Sequence, residues 1–140
     1  MNHLRLMTTF ENLTRVLEET PGVRLAVLFG SAARRTDRSN SDIDIGVSME
    51  GKADRSLTLR VTLERAAGRP VDLVWLDQAA PLLRFEIARD GLVLIEREAR
   101  AWAEFRAHAM IDWWDWAPTE RVMHEVMAAR LREEAGRGPS

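Results

Sequence analysis

Residues 30–45 read Gly-Ser-Ala-Ala-Arg-Arg-Thr-Asp-Arg-Ser-Asn-Ser-Asp-Ile-Asp-Ile and connect two apolar runs. The run before them, Val23 to Phe29, is typical of a buried strand, and the apolar run that follows predicts a second one. Because alternate residues of a strand point to the same face, Asp42 and Asp44 are expected to project together. Two neighbouring carboxylates repel each other and are costly to desolvate unless a cation lies between them. The stretch therefore predicts a cation site at the start of the second strand.

The residue types at this site indicate what it binds. Carboxylate oxygens suit Mg²⁺, a hard cation that proteins usually hold with one or two carboxylates and substrate phosphates. The small Gly30-Ser31 turn allows backbone N–H groups to approach a phosphate closely. Ser31 has no accompanying histidine or lysine base, so phosphate binding is a better interpretation of its hydroxyl than nucleophilic attack. A phosphate-binding turn followed by a metal-binding Asp-x-Asp strand favours nucleotidyl transfer.

This pattern resembles the signature of a known family. Gly-Ser followed by ten residues and Asp-x-Asp is similar to the motif of the polymerase-β-type nucleotidyltransferases. The fuller form, Gly-Ser-x-Ala-Arg and then Ser-Asp-Ile-Asp, resembles the minimal nucleotidyltransferase (MNT) branch, and the resemblance extends from about Phe10 to about Glu96. It implies a nucleotidyltransferase fold, ATP as the donor and two Mg²⁺ ions as cofactors.

The resemblance also implies a third carboxylate on a neighbouring strand, for which Asp72 is the candidate. Asp72 interrupts the apolar run 71–76, and an isolated acid in such a run is expensive unless it is paired or metal-bound. Alternatively, it faces solvent from an edge strand or pairs with Arg69. With Asp42 and Asp44 upstream, the catalytic interpretation is preferred. The family pattern then has Asp42 and Asp44 bridging both ions, and Asp72 binding the ion that activates the nucleophile and accepting its proton.

Four residues are assigned to the nucleotide phosphates. Gly30 and Ser31, with Ser41, are expected to hold the β- and γ-phosphates. Arg34 either neutralises triphosphate charge or pairs with an acid on the short helix, and phosphate is the preferred partner. No residue is assigned to the nucleobase.

Composition limits the function classes. A chain of 140 residues with 46% hydrophobic content supports one core. The net charge of −2 argues against direct nucleic-acid binding, and the lack of cysteine excludes disulfide and thiolate chemistry. Neither a signal-peptide core nor 18 consecutive apolar residues are found, so a cytoplasmic protein without membrane contact is expected.

Strand-like and helix-like patterns alternate along the chain, which predicts an α/β (α+β) fold with a mixed sheet of about four strands flanked by helices. A first helix is expected from a Thr8 or Thr9 cap to Pro21. The predicted strands are 23–29, 42–48, 71–76 and 92–96, and the predicted helices between them are 31–35, 54–67 and 78–89, the last capped by Asp77. The organisation follows as a nucleotidyltransferase core (1–96), a helical extension of the same domain (97–135) and a disordered tail (136–140).

The helical extension is rich in tryptophan. Pro118 predicts a break between two helices. The stripe of the second helix is expected to pack on the core of the domain and consists of Val122, Val126, Met127 and Leu131. Adjacent residues of a helix point in different directions, so Trp113, Trp114 and Trp116 cannot all be buried on one face. A partner contact by these three indoles is preferred over a purely internal role, because tryptophan is enriched at binding hot spots.

The molecule that accepts the nucleotidyl group is inferred from the resemblance alone. Small MNT proteins of this kind resemble the antitoxins of HEPN/MNT toxin–antitoxin pairs, in which AMP passes from ATP to a tyrosine of a HEPN ribonuclease. The expected partners are therefore ATP and a HEPN toxin, in a possible hetero-oligomer or homo-oligomer. Two alternatives stay open: adenylylation of a small molecule such as an aminoglycoside, and an antitoxin that acts by binding alone.

Overall fold

The computed structural model describes residues 2–33, 42–51 and 57–136 of the chain. Four strands and five helices follow one another within these ranges. The strands are β1 (Val23–Phe29), β2 (Ile43–Met49), β3 (Val71–Trp75) and β4 (Leu92–Glu96). The helices are α1 (Asn2–Glu19), α2 (Gly30–Ala33), α3 (Leu57–Ala67), α4 (Pro81–Asp90) and α5 (Ala101–Gly136).

The strands form one mixed sheet in the order β3-β2-β1-β4. β1 runs antiparallel to both β2 and β4, whereas β2 runs parallel to β3. A parallel pair needs a crossover connection, and α3 lies in that connection. The predicted mixed sheet flanked by helices is thus confirmed, with strand boundaries within one residue of those predicted.

Two apolar clusters lie on opposite faces of the sheet. The first contains α1, α3 and the sheet residues that point toward them, and its largest members are Leu13, Leu17, Leu63, Leu28, Ile43 and Ile45. The second contains α4, the start of α5 and the opposite face of the sheet, and its members include Val27, Phe29, Leu76, Ile87, Phe105 and Ala109. The molecule is therefore a three-layer α/β/α arrangement, in which each helix pair covers one face of the sheet.

Two helices begin elsewhere than predicted. α1 starts at Asn2 and passes through the Thr8 capping pattern. The preceding leucine, arginine and methionine residues are good helix formers, so the helix extends beyond this local signal. α4 starts at Pro81 with Ala80 as its N-cap, so the cap predicted at Asp77 is wrong. Proline is favoured at the first helical position, where no backbone N–H is needed.

The apolar residues of α3 divide between two sides of the helix. Leu57 and Val61 are exposed, while Leu59 and Leu63 are buried against the sheet. Residues two apart lie on nearly opposite sides of a helix, so this short helix carries two competing apolar pairs. Packing against the sheet selects one pair, and periodicity alone does not. Residues 54–56 of the predicted helix lie outside the described ranges.

α5 is one helix of 36 residues, about 54 Å long, and it continues through Pro118. The predicted break there is wrong. Proline removes one backbone hydrogen bond, but the residues that follow include many alanine, glutamate, arginine, methionine and leucine residues, whose helix propensity favours continuation. Gly136, predicted as the first residue of the disordered tail, is instead the last residue of α5. Residues 137–140 of the predicted tail lie outside the described residues. None of the helices in the described part of the chain is long and apolar enough to span a membrane.

Candidate active site

Two of the predicted catalytic carboxylates lie side by side at one end of the sheet. Asp44 on β2 is the register partner of Asp72 on β3. On its other side, Asp44 is the register partner of Phe29, the last residue of β1. Neighbouring strands are about 4.8 Å apart, so the backbones of the two aspartates are direct neighbours. Phe29, Asp44 and Asp72 thus form one row across three strands.

The same end of the sheet is open to solvent. Ile43 and Ile45 are fully buried on the α1/α3 side, so Asp44 between them points to the α4/α5 side. Its side chain is half-buried, whereas Asp42, which immediately precedes β2, and Asp72 are exposed. A large polar substrate can therefore reach the carboxylates.

Backbone and side-chain hydrogen bonds hold the starts of β2 and β3 together. The Ile43 N–H donates to the Pro70 carbonyl oxygen at 2.9 Å. The Val71 N–H donates to Glu64 Oε2 on α3 at 3.3 Å. These two bonds fix the backbone immediately before Asp44 and Asp72. No sequence signal singled out Glu64, because its role depends on how α3 packs beside the edge strand.

Gly30 lies against the Asp44 carboxylate. Its φ is +72°, in the left-handed region that favours glycine. A Cβ atom added at Gly30 would lie 2.2 Å from Asp44 Oδ2, which no side chain can occupy without displacing that oxygen. Glycine at this turn was expected because of phosphate approach. The structure shows a second requirement, the close passage of the backbone past the carboxylate.

β3 is an edge strand and Asp72 is exposed, which also suits a residue that merely faces solvent. Its register position opposite Asp44 is what favours a role in the site. In the described part of the chain, no three acidic or histidine side chains are gathered closely enough to hold a metal ion. The donor set of three carboxylates nevertheless suits a hard cation. Exposed side chains such as those of Asp42 and Asp72 change rotamer readily, so they can turn toward Asp44.

Comparison with known families gives the chain its assignment. Residues 11–100 match the family model described as Polymerase beta, Nucleotidyltransferase. This match covers well over half of the chain and includes Gly30, the three aspartates and β1 to β4. The chain belongs to the polymerase beta nucleotidyltransferase family.

Three proteins similar to this nucleotidyltransferase cover different shares of the chain. A candidate protein adenylyltransferase of Methanocaldococcus jannaschii is 38% identical over 73 residues, which are 51% of this chain and 78% of the relative. A chain of a toxin–antitoxin complex crystallised with AMP-PNP is 26% identical with a TM-score of 0.73, over 84% of this chain and 98% of that one. A chain from the complex of tri-AMPylated Shewanella oneidensis HEPN toxin with MNT antitoxin shares the fold, at 24% identity and a TM-score of 0.64, over 91% of this chain and 99% of that one.

The nucleotide-binding residues predicted for this nucleotidyltransferase are described only in part. Ser31 lies in α2 beside Gly30, but its side chain is not among those described. Arg34 and Ser41 lie outside the described residues. Their assignment to the phosphates stays a prediction.

The tryptophans predicted to contact a partner occupy different environments. Trp113 stacks on Phe85 of α4, with ring centroids 4.9 Å apart and an interplanar angle of 20°. Trp116 lies beside Trp113 at 5.7 Å in a tilted arrangement. Trp114 is 74% exposed. Trp113 therefore belongs to the α4–α5 contact, and Trp114 points away from the domain.

The apolar stripe in the distal half of α5 is not buried as predicted. Val126, Met127 and Leu131 are all exposed, so the prediction that this stripe packs on the domain core is wrong. These residues are helical as predicted, but α5 is too long for the sheet and α4 to cover its distal half. The side chain of Val122 is not among those described.

Proposed function

We propose that this nucleotidyltransferase is the antitoxin of a HEPN/MNT-type pair and transfers AMP from ATP to a tyrosine of its HEPN ribonuclease partner. The observation that carries the proposal is the row of Asp44 and Asp72 across β2 and β3, with Gly30 pressed against Asp44. The relatives point the same way, since one is named for protein adenylylation and another comes from a toxin–antitoxin complex with an ATP analogue.

Asp42, Asp44 and Asp72 are proposed to hold two Mg²⁺ ions, to which they would supply the oxygen ligands that a hard cation prefers. The donor set and the open, solvent-facing end of the sheet support this proposal. When bound, such ions neutralise charge on the phosphates and lower the pKa of an attacking hydroxyl.

The proposed transfer is an in-line displacement. The tyrosine oxygen bonds to the α-phosphorus of ATP while the bond from that phosphorus to the bridging oxygen breaks, which releases pyrophosphate. Asp72 accepts the phenolic proton. The Gly30 turn, Ser31 and Ser41 hold the β- and γ-phosphates, and Arg34 neutralises charge on the departing pyrophosphate.

The proposed tyrosine acceptor lies on the HEPN partner, which is consistent with the absence of tyrosine from this sequence. α5 is proposed to bind the HEPN partner through its tryptophans. The exposure of Trp114 supports this role, because an indole in water gains much apolar contact when a partner covers it.

The test uses purified chain, ATP, Mg²⁺ and the proposed HEPN partner, which is sought among the products of the neighbouring genes. A mass gain of AMP on a HEPN tyrosine is expected, and the double variant Asp42→Asn with Asp44→Asn should abolish it without unfolding the chain. Labelling by the folded double variant would contradict the assignment. A stable complex without any labelling by the wild-type chain would instead indicate an antitoxin that acts by binding alone.

A further inference from the structure

The first half of α5 is apolar on two opposite sides. Its inner side, with Ala101, Phe105 and Ala109, is buried against the sheet and α4. Its outer side exposes a second apolar stripe at the spacing of one helix face, and this outer face of α5 consists of Ala103, Ala107, Met110, Ile111 and Trp114. An apolar stripe on a helix normally packs against another apolar surface. The domain covers only one side.

The outer face of α5 has the shape of a helix-packing surface. Ala103 and Ala107 are small and permit close approach of another helix. Met110, Ile111 and Trp114 then offer a ridge of large side chains one to two turns further along, with Ile111 57% exposed. No charged residue interrupts this stripe. Trp114 alone leaves on the order of 150 Å² of mostly apolar surface in water.

A groove of about 290 Å³ between α4 and α5 adjoins this face and shares Ala107 and Met110 with it. Two arginines stand at the groove. Arg89 donates two hydrogen bonds to Asp90 Oδ2, from Nη2 at 2.9 Å and from Nε at 3.0 Å. This carboxylate neutralises the guanidinium and raises the pKa of Arg89. Arg106 donates from Nε to the Ala88 carbonyl oxygen and lies over the Trp102 ring, and it has no carboxylate partner among the described residues. The groove thus presents one unneutralised cation beside an apolar surface.

We propose that the outer face of α5 binds one amphipathic helix of the HEPN partner, with an acidic side chain flanking that helix paired with Arg106. This inference rests on the proposed function, which supplies the partner. The apolar spacing along α5 fits the apolar stripe of a helix, and the charge of Arg106 fits an acidic flank. Trp113, which stacks on Phe85, contributes by shaping the face from within.

The test places a charge at the centre of the face. Ala107→Glu and the control Ala129→Glu both put glutamate on an exposed alanine of α5. Each is titrated calorimetrically into the HEPN partner of the proposed function, after its melting temperature is shown to match the wild type. Ala107→Glu should weaken binding on the order of 100-fold, since it buries an unpaired charge, while Ala129→Glu binds like wild type. Trp114→Ala should weaken binding on the order of 30-fold.

Arg106 is tested through salt dependence. Arg106→Leu should weaken binding and reduce its dependence on ionic strength, and Arg106→Lys should keep that dependence. Equal salt dependence of binding in both variants would contradict the proposed pairing of Arg106 with an acidic side chain of the partner.

Three results would overturn the proposal that the outer face of α5 binds the HEPN partner. Ala107→Glu could bind as tightly as wild type, or both glutamate variants could weaken binding equally. Alternatively, the wild-type chain could form a dimer that only Ala107→Glu dissociates, which would identify a second copy of the chain as the occupant. These results differ from failure of the proposed function, in which the wild-type chain itself neither binds nor labels the HEPN protein.

Discussion

Replacing Gly30 with alanine tests whether the turn after β1 and the Asp44 carboxylate form one site. Gly30 has a φ of +72°, and its added Cβ would lie 2.2 Å from Asp44 Oδ2. The backbone strain costs about 1–2 kcal/mol, partly offset by the lower entropy of the unfolded chain. The oxygen must in addition move by roughly 1 Å to reach an ordinary nonbonded separation.

The chain offers a matched control in Gly68, at the end of α3. Its φ is +69°, nearly that of Gly30, but an added Cβ would meet nothing within 4 Å. Gly68→Ala therefore introduces the same backbone strain without a clash. Both variants should lose about 1 kcal/mol of unfolding free energy from strain, measured by urea denaturation. A greater loss for Gly30→Ala would report the additional clash.

Activity should separate the two variants. A displacement of about 1 Å in a catalytic group can cost about 100-fold in rate, so Gly30→Ala should transfer AMP about 100-fold more slowly. Gly68→Ala should transfer at the wild-type rate when assayed well below its melting temperature. The reasoning is refuted if folded Gly30→Ala labels the HEPN protein at the wild-type rate, or if both variants lose the same activity.

Three further substitutions test the fold by chemical denaturation. Gly91→Ala should destabilise by about 1–3 kcal/mol without any backbone strain, because its Cβ would lie 2.5 Å from Val27 Cγ1 and from the Ile87 carbonyl oxygen; a neutral effect would contradict this close contact. Arg97→Met should cost about 1–2 kcal/mol, since the guanidinium donates to three carbonyl oxygens at the end of α1, and no loss would mean that water replaces these bonds equally well. Leu63→Ala should cost about 2–5 kcal/mol, and comparable stability in that variant and wild type would place the buried face of α3 elsewhere.

The direction of the Asp44 side chain could be predicted from sequence because the signal is local. The alternation of Asp42, Ile43, Asp44 and Ile45 is sufficient to assign inward and outward faces on a strand. The pairing of Asp44 with Asp72 is different, since it depends on β2 and β3 lying parallel across the α3 crossover. Family resemblance supplied the expectation of a third carboxylate, and only the register shows that it lies opposite Asp44.

The errors arise where one local signal competes with another or with tertiary packing. Asp77 is a good cap residue, yet Pro81 at the first helical position defines the start of α4. α3 has two apolar pairs, and only the sheet selects Leu59 and Leu63. The contact between Gly30 and Asp44 joins the first residue of α2 to a residue of β2, so the glycine pattern could indicate close approach without revealing what is approached.

The position of the carboxylates relative to α5 connects the proposed chemistry with the proposed docking. Phe29 belongs to the apolar cluster under α4 and α5, and it is the register partner of Asp44. Asp44 therefore projects on the side of the sheet that α4 and α5 cover. A partner held on the outer face of α5 lies on that same side, so docking and transfer can act on one bound molecule. Binding energy at Trp114 can then position the acceptor tyrosine at a site that is otherwise open to water, which is how remote contacts raise the rate of a bimolecular transfer.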